Sequence, residues 1–370
     1  MHQNDHLAPN SHPARDLRPP TTLTLAITDD CNLACAHCWM DSAPRPQTAH
    51  AAEWSILSMV EQFAELGGEH LRITGGEPLR HPGWLRILQF AATIGIGTLT
   101  LQTNGLLFTE QLATRLRRSC LPNLSIQISI DGATAASHDQ VRGAGSFAAV
   151  MAALDLLAGA GLADRITVNF TEMRHNLEEF PALLELAEQR GLRAVVAGTL
   201  VRGGRAASPS PTSLAPPEAD HYLQLIERHD QDPAFRSRHH ALGSMAALTW
   251  RRGEPLCPGG CTFAEHPYIT ADGRMYPCLL CHTDEFAVRG VHDKGLSAAL
   301  AEGRLLWQPL LDVSRQRAAL LNQCRDCPGA AYCAGGCMGR AWSSCGTPWA
   351  ADDRCRQRRA IYSAYPPATP

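Results

Sequence analysis

The sequence predicts an α/β fold built on a parallel sheet, followed by a small cysteine-rich module, and three observations predict it. Between Leu23 and about Leu200 apolar, strand-like runs alternate with helix-like segments through six units, and such alternation calls for a parallel sheet with covering helices. Ten of the 14 cysteines fall between Cys257 and Cys355, where the composition changes. The chain has 370 residues and 45% hydrophobic content, enough for a sizeable core and two domains.

The first strand is Leu23–Ile27, and Leu71–Ile73, Thr98–Leu101, Leu124–Ile130, Ile166–Phe170 and Ala194–Val196 read as the next five. Helical patterns lie between them at Ala51–Leu66, Trp84–Ile94, Glu110–Arg118, Phe147–Ala160 and Leu177–Arg190. Gly67, Gly95, Gly161 and Gly191 fall just past helix ends, where a left-handed cap favours glycine. Six units are too few for a closed eight-unit barrel. Val201–Pro217 is rich in Gly, Ser and Pro and reads as a loop, and weakly patterned helices follow to Arg252. The expected division is a disordered tail over 1–22, the sheet domain over 23–205, a helical linker over 206–252 and the cysteine-rich domain over 253–370.

Composition excludes several classes. A net charge of −3 gives no general attraction to nucleic acid or to an anionic membrane. No run approaches the roughly 18 apolar residues that span a bilayer. Met1–Pro20 is polar and carries no signal-peptide core. Fourteen cysteines without a secretion signal argue for metal ligation in a reducing cytosol rather than for disulfides, so a cytoplasmic protein is expected. Lys294 is the sole lysine, which disfavours Schiff-base chemistry.

The motif with the most chemistry is Cys31-Asn-Leu-Ala-Cys35-Ala-His-Cys38, directly after the first strand. Three thiolates on one tight loop can hold three irons of a [4Fe–4S] cube and leave the fourth iron open, whereas electron carriers usually supply four cysteines. An open position is what separates catalytic from structural metal sites. Taken alone, the spacing also suits half of a zinc site or part of a disulfide set. Further along, Thr74-Gly-Gly-Glu-Pro78, Gln102-Thr-Asn-Gly105 and Ser129-Ile-Asp-Gly132 also follow strands, and His138-Asp139 and Val141-Arg142-Gly143 come after them. Ligands of open α/β sheets bind at the carboxyl ends of strands, so these motifs converge on one mouth.

Together these motifs resemble the radical S-adenosylmethionine (SAM) superfamily. The resemblance implies an open (βα)6 partial TIM barrel in which SAM chelates the unique iron of a [4Fe–4S] cluster held by Cys31, Cys35 and Cys38. Cleavage of SAM would then give a 5′-deoxyadenosyl radical that abstracts hydrogen from substrate. The same resemblance makes Gly75, Gly76, Glu77, Ser129 and Arg142 SAM-binding residues, with the Glu77 carboxylate beside the methionine ammonium and Arg142 suited to the carboxylate by its fork. Asp131 is expected to shape its turn and Asn104 to cap one. His37 is expected to pack near the adenine. The loop Arg202-Gly-Gly-Arg205-Ala206 reads equally as a lining of the mouth or as solvated.

The later cysteines resemble the SPASM domain of peptide-modifying radical SAM enzymes, on Cys261-x11-Gly273-x4-Cys278 and Cys324-x2-Cys327-x5-Cys333-x3-Cys337 with a distant last cysteine. The resemblance implies two auxiliary [4Fe–4S] clusters, one on Cys257, Cys261, Cys278 and Cys337, the other on Cys324, Cys327, Cys333 and Cys355. Cys281 and Cys345 are alternative ligands, and Cys120 is expected to be a buried core thiol. Closed four-thiolate zinc sites are the competing reading of this array.

The implied function is that of a radical SAM oxidoreductase that oxidatively modifies a ribosomally made peptide by a crosslink or thioether. A haem-precursor or small-molecule oxidoreductase, or a non-catalytic zinc protein, are the alternatives. Expected partners are a precursor peptide, a flavodoxin- or ferredoxin-type reductant and a separate leader-binding protein. Anaerobic sulfatase maturases share the architecture but place an Asp where this chain has Leu279, which argues against that mechanism.

Overall fold

The computed structural model describes residues 19–44, 50–207, 214–253, 261 and 264–366. Most of the expected N-terminal tail, and Cys257, lie outside the described residues. The elements run β1 (Thr22–Ala26), α1 (Glu53–Glu65), β2 (His70–Thr74), α2 (Trp84–Thr93), β3 (Thr98–Thr103), α3 (Glu110–Arg118), β4 (Leu124–Ser129), α4 (Ala135–Arg142), α5 (Ser146–Gly159), β5 (Ile166–Glu172), α6 (Phe180–Gln189) and β6 (Ala194–Thr199). Then come α7 (Ala219–Gln231), α8 (Pro233–Leu242), β7 (Gly243–Met245), α9 (Ala246–Arg251), β8 (Tyr268–Ile269), β9 (Met275–Tyr276), α10 (Val291–Lys294), α11 (Leu296–Leu320), α12 (Ala330–Cys333), α13 (Met338–Cys345) and α14 (Cys355–Ala364).

The strands form one sheet in the order β7-β6-β5-β4-β3-β2-β1-β8-β9. Strands β1 to β6 pair in parallel, each with the next. The two ends do not meet, so the barrel is open, as predicted. Register places Leu23 beside Leu71, Leu71 beside Leu99, Leu99 beside Leu124 and Ile126 beside Ile166. These fully apolar layers are what a sheet covered on both faces requires. The glycines past the helix ends adopt positive φ, +89° at Gly95 and +62° at Gly191.

Three features were not expected. Helix α4 splits from α5 because Thr134 caps its start and Gly143, at φ +108°, ends it. Its eight residues are too short for the apolar period to show. Strand β7 extends the sheet beyond β6 from within the weakly patterned helical stretch. On the far side β8 pairs in parallel with β1 and turns back as β9. At two or three residues each, these strands leave no legible alternation.

The C-terminal module is fastened to α1. Ser55 Oγ lies 2.8 Å from His292 Nδ1, and the Ser297 amide donates to Gln62 Oε1 at 3.0 Å. Trp307 of α11 is fully buried, its indole donating to the Phe286 carbonyl at 2.9 Å. No single helix among the described residues is long and apolar enough to cross a membrane.

Candidate functional site

The loop after β1 is braced by the loop after β2. The amides of Gly76 and Glu77 donate to the carbonyls of Thr28 and Asp30, at 2.7 and 2.8 Å. A Cβ on Gly75 would lie 2.4 Å from the Thr28 oxygen, and one on Gly76 would lie 2.3 Å from that of Asp30. Gly75 also has φ +149°. The sequence reading gave these glycines to ligand approach; loop-on-loop packing already demands them. Asp30 is fully buried and ion-paired with Arg80.

Cys31, Cys35 and Cys38 sit on the braced loop and line a cavity of about 290 Å³ with Gly75, Gly76, Ser129 and Arg142. Glu77 does not line it. Its carboxylate is fully buried and accepts from the Leu79 amide at 3.1 Å, the Thr103 hydroxyl at 2.7 Å and the Asn104 amide at 2.8 Å. Three protein donors reach its two oxygens, and through them Glu77 holds the turn that carries Asn104.

Burial pushes the Glu77 carboxyl up to about 7 despite those donors. A carboxyl raised in the fold destabilises the chain as it ionises. Its contribution to stability therefore falls as pH rises from 4.5 to about 7. The Glu77→Gln chain should lose this slope while being weaker by about 1–3 kcal/mol, because its amide meets donors. Denaturant titration of the metal-free chain across that window checks both.

Asp131 and Arg142 form the second anchor. Asp131 is fully buried and accepts from Arg142 Nε at 2.7 Å and from the Thr171 amide at 2.8 Å. Its role in shaping the turn extends to orienting Arg142. Burial alone would raise the Asp131 carboxyl, but the Arg142 guanidinium and then His37 hold it well below the usual range. Arg142 Nη1 stands 3.9 Å from Cys35 Sγ, and Nη2 stands 3.5 Å from His37 Nε2. His37 lines the cavity within 3.2 Å of Asp131.

Arg205 resolves the choice left open for its loop. It donates to the Cys35 carbonyl at 2.9 Å, to Asp41 at 2.8 Å and to the Ser42 carbonyl at 2.5 Å. Its backbone amide donates to the Cys38 carbonyl at 3.0 Å. It clasps the cysteine loop, whereas Arg202 is exposed.

The donor set fits an iron–sulfur cluster. The thiols carry N–H groups aimed at sulfur, from Leu33 to Cys31 at 3.4 Å and from Asn104 to Cys31 at 3.9 Å, as thiolate ligands are tuned. Burial pushes the Cys31 thiol up to about 12, and a bound metal reverses that preference. Among the described residues no three His, Cys, Asp or Glu side chains gather tightly enough for a single ion. A cube that takes one thiolate per iron spreads its ligands more widely.

Sequence reasoning named Ser129 but missed much of the rest of the lining. Gln102, Gln127, Asn169 and Thr171 face the cavity beside it from β3, β4 and β5, polar residues among apolar neighbours, and that contrast was the available signal. Trp39, Met40, Leu200, Val201, Tyr268 and Leu279 form an apolar wall. Among the described residues no Asp or Glu lines the cavity.

In the C-terminal module Cys324, Cys327, Cys333 and Cys355 lie within electrostatic reach of one another. Cys278, Cys281 and Cys337 form a second group. Cys281 is 6% exposed. Gly339 presses the start of α13 against this Cys278–Cys281 turn, since a Cβ there would lie 2.4 Å from the Leu280 carbonyl. Cys261 is half-buried and Cys345 is exposed. Cys120 is exposed in a left-handed turn at φ +47°, not a core thiol as expected.

Residues 25–187 match the Radical SAM superfamily. The mycofactocin maturase MftC of Mycobacterium ulcerans is 30% identical over 329 residues, covering 87% of this chain and 84% of the relative. An AdoMet-dependent heme synthase of Nitratidesulfovibrio vulgaris is 27% identical over 375 residues, covering 94% and 96%. The crystal structure of Streptococcus suis SuiB bound to precursor peptide SuiA superposes with a TM-score of 0.70 at 16% identity, covering 92% of this chain and 76% of SuiB. Motifs, open barrel, three-thiol cavity and relatives agree, and the chain belongs to the radical SAM superfamily.

Proposed function

We propose that this enzyme matures a ribosomally made peptide by an oxidative modification that closes a crosslink or thioether. The observation that carries the reading is the 30% identity to a maturase over 87% of this chain and 84% of that relative. In this reading Cys31, Cys35 and Cys38 hold a [4Fe–4S] cluster, which supplies the electron that splits SAM. Gly75, Gly76, Ser129 and Arg142 receive SAM on the polar side. Asp131 keeps Arg142 charged and aimed, and Arg205 keeps the loop closed over the thiols. The peptide enters against Trp39, Tyr268 and Leu279. His37, which lines the cavity, is placed to accept a proton.

Closing a bond after hydrogen abstraction requires removal of a second electron. The two thiol groups of the C-terminal module serve that exit as two auxiliary [4Fe–4S] clusters, on Cys257, Cys261, Cys278 and Cys337 and on Cys324, Cys327, Cys333 and Cys355. Cys281 stands beside the first group. A flavodoxin- or ferredoxin-type reductant and a separate leader-binding protein complete the proposal. The barrel over 23–205 and the module over 253–370 act as its two working parts.

Likeness to the heme synthase over 375 residues favours a second reading, in which a haem precursor is the substrate. Co-expression with a candidate precursor peptide encoded near the gene, followed by peptide mass, separates the two. The expected result is loss of hydrogen mass from the peptide. An unchanged peptide, with haem-precursor turnover by the purified enzyme, would select the second reading.

A further inference from the structure

The end of β6 is held from outside the barrel. Leu200 follows β6, is 1% exposed and lines the cavity. Its carbonyl accepts from two guanidinium groups of the C-terminal module, Arg340 Nη2 at 2.6 Å and Arg354 Nη2 at 2.9 Å. Both arginines are buried. Asp353 supplies counter-charge, accepting from Arg340 Nε and Nη2 at 2.8 and 3.0 Å and lying 3.7 Å from Arg354 Nη1. Buried Glu172, at the end of β5, faces Arg354 from the barrel side, its carboxyl pushed up by burial.

Burying two cations is costly, and apolar contacts would dock two modules at least as well. What forks on one carbonyl add is direction. Their placement gives that direction a purpose. Arg340 lies in the first turn of α13, directly after Cys337, and Arg354 immediately precedes Cys355. Two helices that begin at cysteines of the later field thus meet on one carbonyl of the cavity wall. From Leu200 the chain runs through Val201–Gly204 to Arg205, which clasps the carbonyls of Cys35 and Ser42. Gly204 is pressed onto that loop, since a Cβ there would lie 2.6 Å from the Cys38 oxygen.

We propose that Arg340 and Arg354 are positioning residues for the SAM cavity, setting the β6 end and, through Arg205, the cysteine loop. The inference needs the SAM site alone and not the peptide, so it stands or falls separately from the maturation reading. The test compares anaerobically reconstituted Arg340→Lys, Arg354→Lys and the double variant with Gln357→Leu. Gln357 lies on the same helix as Cys355 and donates to the Pro217 carbonyl at 3.1 Å, outside the cavity lining.

SAM affinity by equilibrium dialysis, iron content, and the response of the reduced cluster's EPR spectrum to SAM are the readouts. The double lysine variant should bind SAM roughly tenfold more weakly, with an altered EPR response and its iron retained. The single variants should fall between it and wild type. Gln357→Leu should melt earlier but bind SAM as wild type does. Wild-type SAM affinity and EPR in the double variant would overturn the proposal. So would equal loss of affinity in Gln357→Leu, or selective loss of auxiliary iron in the lysine variants.

Discussion

If the chain holds the three proposed clusters, replacing Cys31, Cys35 and Cys38 together with Ala should abolish conversion of SAM to 5′-deoxyadenosine and remove about a third of the iron, from about twelve to about eight per chain. Both effects follow from the cavity. Among the described residues its lining contains no other cysteine and no carboxylate. His37, the remaining candidate ligand there, stands against Asp131 and Arg142. The described later cysteines lie in the C-terminal module and outside that lining, so about eight irons should survive. Iron analysis and chromatography of 5′-deoxyadenosine with a strong reductant make the measurement. Unchanged iron, or zinc in its place, would refute the ligand assignment.

Asp131→Asn is the second large effect, and here it falls on stability. The folded carboxyl is held well below its ordinary value of 3.8. A depressed carboxyl contributes stability that is present above the unfolded value and is lost as pH falls through the folded one. At neutral pH the contribution is complete, so the substitution loses all of it. The new amide keeps an acceptor for Arg142 or for the Thr171 amide but leaves the guanidinium buried without a counter-ion. Breaking a buried pair from one side costs about 3–5 kcal/mol. Adding Arg142→Met to Asp131→Asn should recover part of that loss, since the stranded charge goes with it. Urea denaturation of the single and double variants measures it. A loss below about 1 kcal/mol would mean that the pair is not buried as described.

How much of this was legible in the sequence depended on the range of the signal. The barrel strands announced themselves because Leu23, Leu71, Leu99 and Leu124 sit in layers buried on both faces. The cysteine loop and the Gly75-Gly76 turn were legible because backbone geometry there constrains residue type. The hold of Glu77 on its turn was not legible, because its donors Thr103 and Asn104 come from the end of β3 and only the fold brings them. Arg205, Arg340 and Arg354 were indistinguishable from solvated arginines, because the distant partners that place them are main-chain carbonyls, which have no sequence signature. Strands β7 to β9 were missed because two or three residues carry no period.

The pairing of β1 with β8 also bears on how the molecule is made. Thr24 and Leu25 close one side of their strand against Tyr268 and Ile269. A ribosome therefore delivers the N-terminal strand long before the residues that cover its outer edge. Until then that edge offers unpaired amide and carbonyl groups to any neighbouring chain. Contacts so distant in sequence also slow the search for the native topology. The nascent chain should consequently depend on holding chaperones until the β8–β9 hairpin emerges, and truncation before residue 268 should yield aggregates rather than a free-standing barrel.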